Sequence, residues 1–438
     1  MQTCYMKITF IRNLLLITTA CCAYFFFNSC SKDTLHAKTH TETYTSSYTI
    51  NTPVYKSKSE IFKSINGPAN TAIEHAGKIY IKDNFIYLNE VNKGIHIIDN
   101  SNPSYPVQVA FLSIPGNLDI AIKGNILYAD MYTDLLALDI TDVHHAEYKT
   151  SIPDFFTGRA YPIIDNSYSY LQPSTTNDMV AVDWIVKDTT ITYTNTYTDC
   201  DDCVFLENTS TAPGIKSGNS TGVAGSMASM ILMNNYLYAI SEMHSLGIID
   251  VSDASHPKLD SSFSAGFDLE TIYPFEDKLF LGSDIGVFMY DVSNPGQPVS
   301  IGEFEHGQAC DPVIADSNFA YVTLHSGSTC GSDKNELDVV DVQDLANSKL
   351  VKTYNLIKPT GLSKDGDLLF VCDDTNVKVY NASNPSALQL LQQITSNQPY
   401  DVIAANKKLI VVNADGISQY DYSNVHNIRM LSFIAAKE

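Results

Sequence analysis

The segment Gly286-Val287-Phe288-Met289-Tyr290-Asp291-Val292-Ser293-Asn294-Pro295 contains the pattern from which the fold can be predicted. A short apolar strand ends at an Asp, and a Ser-Asn-Pro turn follows it. Asx side chains accept a hydrogen bond from the amide two residues on, and proline fixes the next turn, so we expect the Asp to be structural. A small sheet built from one such unit cannot bury both of its faces, so further copies of the pattern are needed.

The pattern recurs along most of the chain. Its Asp or Asn anchor stands at positions 99, 139, 183, 250, 291, 341, 381 and 421. A period of about 40 residues with four short strands per unit is typical of propeller blades. The sequence therefore predicts an all-β fold, a β-propeller of four-stranded blades, with eight repeats counted and seven blades as the alternative. The third repeat is the weakest, because Trp184 follows Asp183 where other copies begin a turn.

These repeats resemble the LVIVD-repeat family, a family of β-propellers among exported and surface proteins. The resemblance lies in the apolar strand that ends in Asp, the Val/Ile-Ser-Asn-Pro turn, and a second apolar strand after the proline. It covers about residues 76–434. It implies a propeller fold and a surface setting, and it implies no defined reaction.

The first 29 residues have the pattern of an export signal. Lys7 and Arg12 precede an apolar stretch that runs from Asn13 to Phe27, and the stretch is short for a membrane-spanning anchor, which is the alternative. The segment Phe27-Asn28-Ser29-Cys30 resembles a bacterial lipobox, although Phe27 and Asn28 depart from the usual residues. We therefore expect a lipoprotein signal peptide over residues 1–29 and a lipid on Cys30. This predicts a lipid-anchored protein of the outer membrane or cell surface of a Gram-negative bacterium.

The remaining chain divides into two parts. Residues 30–66 contain the lipidated Cys, a Thr- and Ser-rich spacer and a short helix over 57–65 with Ser59 as its cap. Residues 67–438 form the propeller, with an insertion at about 185–221. Long loops on a repeat scaffold often carry binding, and a decorative loop is the alternative.

Cysteine usage agrees with export, because disulfides persist in oxidising compartments. We expect a disulfide between Cys310 and Cys330, which lie before the first strand and after the second strand of one blade. Cys200 and Cys203 are close enough in sequence to pair separately. Cys372 then remains a free, buried thiol.

Composition and motifs narrow the class of function. Lys and Arg number 27 against 49 Asp and Glu, a net charge of -22, so we expect no nucleic-acid partner. The sequence lacks the Gly-x-Ser-x-Gly, His-Glu-x-x-His, P-loop and Gly-x-Gly-x-x-Gly motifs. These observations favour a binding protein over an enzyme.

Propeller geometry places candidate residues on one face. The start of the first strand and the loop after the second strand lie together, because the second strand runs antiparallel to the first. The candidate ligand-binding residues there are Asp119, Asp130, Arg159, Glu242, His244, Glu270, Asp311 and Asp401. We expect a polar ligand or a divalent cation such as calcium at this mouth, centred on Arg159 with Asp119 and Asp311, and no other cofactor. The alternative is that these are polar loop ends facing water.

Together these features predict a lipid-anchored envelope propeller that acts as a binding or scaffold module for a protein or glycan partner. Its contact with the membrane is through the N-terminal lipid, and the oligomeric state stays open. One alternative is a polysaccharide-acting hydrolase or lyase with carboxylates at the mouth, and another is a purely structural envelope protein.

Overall fold

A computed structural model describes residues 39–157, 178–198, 226–309, 312–326 and 334–437. The chain divides into two compact units, one of residues 1–49 and 188–211 and the other of residues 50–187 and 212–438. Two long strands, Thr39–Ser57 and Met179–Thr198, form a two-stranded sheet. In the first unit, the hydroxyl oxygens of Thr45 and Thr192 lie 3.4 Å apart on exposed side chains.

The second unit is a propeller whose described residues form seven blades, each a sheet of four consecutive antiparallel strands. Blade 1 comprises Ala76–Lys82, Phe85–Glu90, Gly94–Asp99 and Val107–Ser113, with Asn66–Gly67 added at its outer edge. Blade 2 comprises Ile120–Lys123, Ile126–Met131, Asp134–Asp139 and Glu147–Ile152. Blade 3 comprises Met230–Met233, Tyr236–Glu242, Ser245–Asp250 and Lys258–Ser264.

The other four blades repeat this arrangement. Blade 4 comprises Leu269–Phe275, Lys278–Ser283, Gly286–Asp291 and Val299–Glu305. Blade 5 comprises Val313–Ala315, Phe319–Leu324, Glu336–Asp341 and Lys349–Asn355, with a 3₁₀ turn at Leu345–Asn347. Blade 6 comprises Pro359–Asp365, Leu368–Asp373, Asn376–Asn381 and Gln389–Thr395, with a 3₁₀ turn at Pro385–Ala387. Blade 7 comprises Asp401–Ala405, Lys408–Asn413, Gly416–Asp421 and Arg429–Ala435.

The prediction of a propeller is confirmed, but the main count of eight blades is wrong and the alternative of seven is correct. Asp183 lies inside the long strand Met179–Thr198, which pairs with Thr39–Ser57 and not with a blade. Its carboxylate accepts the amide of Trp184, the next residue, so it makes no turn of the repeat type. The segment Met179-Val180-Ala181-Val182-Asp183 resembles the third strand of a blade because it is a short apolar run that ends in an Asp.

The other seven anchors have the structural role that the sequence predicts. Each side-chain oxygen accepts the backbone amide two residues further on, at 2.7–3.0 Å. The anchors are Asp99, Asp139, Asp250, Asp291, Asp341, Asn381 and Asp421. These Asx turns connect the third strand of each blade to the fourth.

The first strand of each blade lies innermost, where it contacts the first strands of neighbouring blades. The fourth strand lies outermost and is partly exposed, as in Lys258–Ser264. In every blade the register between the third and fourth strands shifts once, which indicates a bulge. A bulge twists an exposed edge strand and so discourages edge-to-edge pairing with another chain.

Side chains between blades close the ring. Ile79 and Ile86 of blade 1 belong to the same buried cluster as Ile403 and Ile410 of blade 7. Tyrosines add polar contacts between neighbours, since the Tyr238 hydroxyl of blade 3 donates to a turn carbonyl of blade 4 at 2.8 Å. The ring is therefore closed by packing, and among the described strands none is exchanged between the first and last blades.

A short helix, Lys58–Lys63, precedes the first blade. The predicted helix is present, but its cap is Ser57 and not Ser59. The Ser57 hydroxyl accepts the amide of Glu60, and the Glu60 carboxylate accepts the amide of Ser57, which is a capping box. Within the described ranges, no helix combines the length and apolar character needed to span a membrane.

Candidate functional site

The loops that join blades and the loops between second and third strands lie on one face of the propeller. We call it the upper face. Asp130 lies at the end of the second strand of blade 2. Its carboxylate accepts hydrogen bonds from the backbone amides of Leu118 and Asp119, which precede the first strand of the same blade. Asp373 accepts the amides of Ile357 and Lys358 in blade 6 in the same way, at 2.9 and 2.7 Å. The predicted convergence of these two loop types is confirmed. It also gives these carboxylates a structural role.

Blade 1 uses Glu90 at the matching position. Its carboxylate accepts the amides of Glu74 and His75, and its Oε2 lies 3.1 Å from Nε2 of the buried His96. Burial by itself raises the pKa of Glu90, but the hydrogen bonds from His96 and the two amides outweigh burial and hold the pKa below its ordinary value. The ionised carboxylate therefore fastens the loop before blade 1 to the second strand.

Asp119 is one of three fully buried candidate site residues, together with Asp130 and Asp401. Its Oδ2 lies 3.1 Å from Nζ of Lys78, and the exposed fractions of the two side chains are 0% and 1%. The amide and hydroxyl of Ser229 also donate to Oδ2, at 3.1 and 2.8 Å. Lys78, Asp119 and Ser229 come from the innermost parts of blades 1, 2 and 3. The cation beside Asp119 is thus Lys78, while the expected partner Arg159 lies outside the described residues.

Side chains near the axis also connect blades that are not neighbours. Lys78 of blade 1 donates to the hydroxyl of Ser229 in blade 3 at 3.3 Å. The Leu362 amide of blade 6 donates to the hydroxyl of the fully buried Ser226, which precedes blade 3, at 2.8 Å. These contacts join the innermost parts of blades that are not adjacent in the ring.

The structure divides the remaining candidates among several blades. Asp401 is buried at the start of blade 7, where its carboxylate accepts the amide of Val402. Glu270 lies in the first strand of blade 4, and Glu242 and His244 lie together at the second hairpin of blade 3. Asp311, Cys30, Cys310 and Cys330 lie outside the described residues. The lipid on Cys30 and the Cys310–Cys330 disulfide stay predictions. Peptide mapping without reduction tests the disulfide.

Cys372 is buried and unpaired with another cysteine, as the sequence predicts. Burial raises the pKa of its thiol well above the ordinary value. In the part of the chain that the structure describes, no three His, Cys, Asp or Glu side chains are grouped so as to hold a metal ion. The expectation of a bound cation stays a prediction.

An exposed apolar patch covers the upper face of blades 3 and 4, and sequence reasoning missed most of it. We define the patch by Met243, His244, Phe267 and Ile285. Phe267 is 56% exposed and Met243 is 54% exposed. The Phe267 and His244 rings stack with centroids 4.4 Å apart.

Backbone geometry holds Phe267 in this outward position. Gly266 has φ +154°, and an added Cβ there would come within 2.6 Å of the Phe288 ring. Asp268 also has positive φ, and its amide donates to Nδ1 of His244 at 3.1 Å. Positive φ on both sides is uncommon and persists only where the surroundings fix it. The Gly-Phe-Asp sequence was the available signal for this loop.

A small cleft adjoins the patch between blades 2 and 3. Its volume is about 140 Å³, and its lining includes Ile152, Phe155, Leu259 and Glu242. The buried Phe155 ring forms part of it and reaches across to blade 3, where an added Cβ on Gly247 would lie 2.4 Å from the ring. Thr157 donates to Oε1 of Glu242 at the cleft wall. Glu242 therefore belongs both to the cleft and, through the next residue, to the patch.

Comparison with known folds agrees with this description. Solved structures that resemble the chain include a computationally designed protein, Ika8, with TM-score 0.50 and 10% identity over 84% of this chain and 90% of that one. A protein of Lactobacillus plantarum has TM-score 0.51 and 13% identity over 82% and 95%. A periplasmic gluconolactonase of Pseudomonas aeruginosa has TM-score 0.51 and 10% identity over 82% and 95%. Identities this low support the fold and nothing finer.

Comparison with curated proteins found no match. The LVIVD repeat, in contrast, matches residues 74–111, 224–265 and 306–356. These ranges correspond to blades 1, 3 and 5, and the resemblance stated from the sequence is confirmed. The chain therefore contains LVIVD repeats, and its described residues fold as a seven-bladed β-propeller.

Proposed function

We propose that this protein is a binding scaffold that docks a protein partner on the upper face of blades 3 and 4. The observation that carries the proposal is Phe267, an aromatic side chain that is 56% exposed yet held in one position. Stacking on His244 and the fixed loop around it order the ring before any partner arrives. An ordered, exposed aromatic loses little conformational entropy on binding, which is typical of interface hot spots.

The surroundings of Phe267 suit a protein surface better than a flat glycan. Met243 and Ile285, exposed by 54% and 40%, extend the apolar area on the same face. Backbone hydrogen bonds join the loops that carry the patch. The Leu269 amide donates to the Met243 carbonyl, and the Asp284 amide donates to the Asp268 carbonyl. Contiguous apolar surface with a polar margin is characteristic of protein interaction sites.

The cellular setting of this scaffold is also a proposal. We expect the lipid on Cys30 to anchor the chain at the outer membrane or cell surface, where an envelope protein is the partner. The mouth carboxylates Asp119 and Asp130 do not favour a hydrolase or lyase, because Asp119 already binds an ammonium group and Asp130 already accepts hydrogen bonds from backbone amides.

Photo-crosslinking tests the docking surface directly. A benzoyl-phenylalanine residue replaces Phe267 in cells that produce the protein at native level, and crosslinks are identified by mass spectrometry. The matched control carries the same residue at Phe433, an aromatic that is 47% exposed on the outer strand of blade 7. We expect one envelope protein to crosslink at position 267 and not at position 433.

A second variant checks that the crosslink reports on binding. Phe267→Ala should weaken association with the crosslinked protein by at least tenfold, since hot-spot aromatics contribute about 2 kcal/mol or more. Phe433→Ala should leave the affinity unchanged. Equal crosslinking at both positions, or unchanged affinity of Phe267→Ala, would contradict the proposal.

A further inference from the structure

The cleft between blades 2 and 3 has the size of a site for one side chain. Its volume is about 140 Å³, whereas pockets for small-molecule ligands usually measure roughly 300–1,000 Å³. A cavity of about 150 Å³ holds a single benzene-sized group. The cleft is therefore too small for a sugar chain and fits one long side chain of a docked protein.

The lining combines an apolar strip with two acidic groups. Ile152, Phe155 and Leu259 supply the apolar surface, and Glu242 and Asp154 supply carboxylates. A side chain with an apolar stem and a cationic end matches this arrangement, because Lys and Arg lay their methylene groups on apolar surface and keep the charge at a polar edge.

The carboxylate of Glu242 is oriented for such a ligand. Thr157 donates to its Oε1, and Oε2 makes no hydrogen bond to the part of the chain that the structure describes. The Asp154 carboxylate is also held by one hydrogen bond, because the Thr133 hydroxyl donates to its Oδ1 at 3.3 Å. Within the described ranges no Lys or Arg forms an ion pair with Glu242 or Asp154, so both carboxylates can receive a positively charged head group.

We infer that the cleft receives a Lys or Arg side chain of the partner, next to an apolar residue that binds the patch. The inference rests on the proposed function and adds the chemistry of the partner: a basic and an apolar residue side by side. The link between the two sites is covalent and short, since Glu242 on the cleft is followed by Met243 on the patch. The strongly acidic chain, with net charge -22, attracts such a segment at long range.

A peptide library of defined composition tests this inference. Random seven-residue peptides displayed on phage are selected against the full-length protein in detergent, and enriched sequences are synthesised for affinity measurement by fluorescence anisotropy. We expect enrichment of Lys or Arg beside an aromatic or aliphatic residue. Glu242→Gln together with Asp154→Asn should weaken such a peptide roughly 10- to 100-fold, the loss expected for charge-assisted hydrogen bonds.

The matched control is Glu305→Gln, which removes an exposed carboxylate at the end of the outer strand of blade 4. It should leave the affinity unchanged. Raising the NaCl concentration from 50 mM to 500 mM should weaken binding to the wild type more than to the cleft variant. Selection of peptides without basic residues, or equal affinity for wild type and cleft variant, would overturn the inference.

The outcomes separate this inference from the docking proposal. Crosslinking at position 267 with an unchanged affinity of the cleft variant would leave the docking surface in place and remove the basic side chain from the cleft. If the cleft variant no longer prefers basic peptides and no crosslink forms at position 267, the result would support a site for a basic side chain in the cleft. It would also exclude the patch as the docking surface.

Discussion

Replacing Asp119 by Asn should destabilise the propeller strongly, because it leaves the Lys78 ammonium group buried without its counter-charge. The two side chains are 0% and 1% exposed, and Nζ and Oδ2 lie 3.1 Å apart. Breaking a buried ion pair on one side costs about 3–5 kcal/mol. The Asn side chain still accepts from Ser229, so the loss of charge compensation is the main change.

The double variant Lys78→Met with Asp119→Asn separates charge from packing. It removes both charges and keeps an acceptor for Ser229, so we expect it to be more stable than Asp119→Asn by several kcal/mol. Replacing both partners of a buried pair is often close to neutral. Such non-additivity is expected for residues in direct contact.

Urea denaturation at pH 7, followed by circular dichroism, measures both effects. The unfolding midpoints of the wild type, the two single variants and the double variant are compared at similar slope. A free energy of unfolding for Asp119→Asn within about 1 kcal/mol of the wild type would refute the reasoning. So would additive losses in the double variant.

Three further predictions concern packing, pH and the anchor. Gly247→Ala should lower the free energy of unfolding by about 1–3 kcal/mol, because the new Cβ lies 2.4 Å from the Phe155 ring. Thermal unfolding measures the loss, and adding Phe155→Leu to the same chain should restore part of it. The hydroxyl and amide of Ser293 hold the pKa of Asp291 below its ordinary value, so its contribution to stability is present above about pH 4 and is lost as the pH falls further. The melting temperature of Asp291→Asn should then decline less than that of the wild type between pH 5 and 3. An equal decline in the two proteins would argue against a stabilising, ionised Asp291 in this turn. Cys30→Ala should release the protein from membranes, and a variant that still sediments quantitatively with membranes after a salt wash would exclude the lipid anchor.

Local patterns were sufficient for the blades and their turns. The anchor Asp of the Asx turn bonds an amide two residues away, as at Asp291 and Ser293, so the contact is written in adjacent sequence. The convergence of Asp130 with Asp119 on one face also followed from the antiparallel hairpin. Both contacts span short stretches of chain, where strand period and turn chemistry determine which atoms meet.

The candidate site was harder to predict because its contacts join distant blades. Acidic residues at matched positions suggested an open, charged mouth, whereas the structure encloses Asp119 with Lys78. Lys78 occupies an ordinary strand position in the sequence, and nothing local distinguishes it from an exposed lysine. Phe267 was missed for the opposite reason, since an apolar residue in a loop reads as core until its exposure is known.

The repeat unit, its period and the structural role of its anchors depend on neighbours within a few residues, so the amino-acid sequence was enough to predict them. The number of blades depended on the tertiary structure, since residues near Asp183 pair with Thr39–Ser57, far away in the chain. The tertiary structure also decided which polar residues are enclosed and which apolar ones are exposed. Those properties depend on how seven separate sheets close around an axis, and strand periodicity contains no record of that closure.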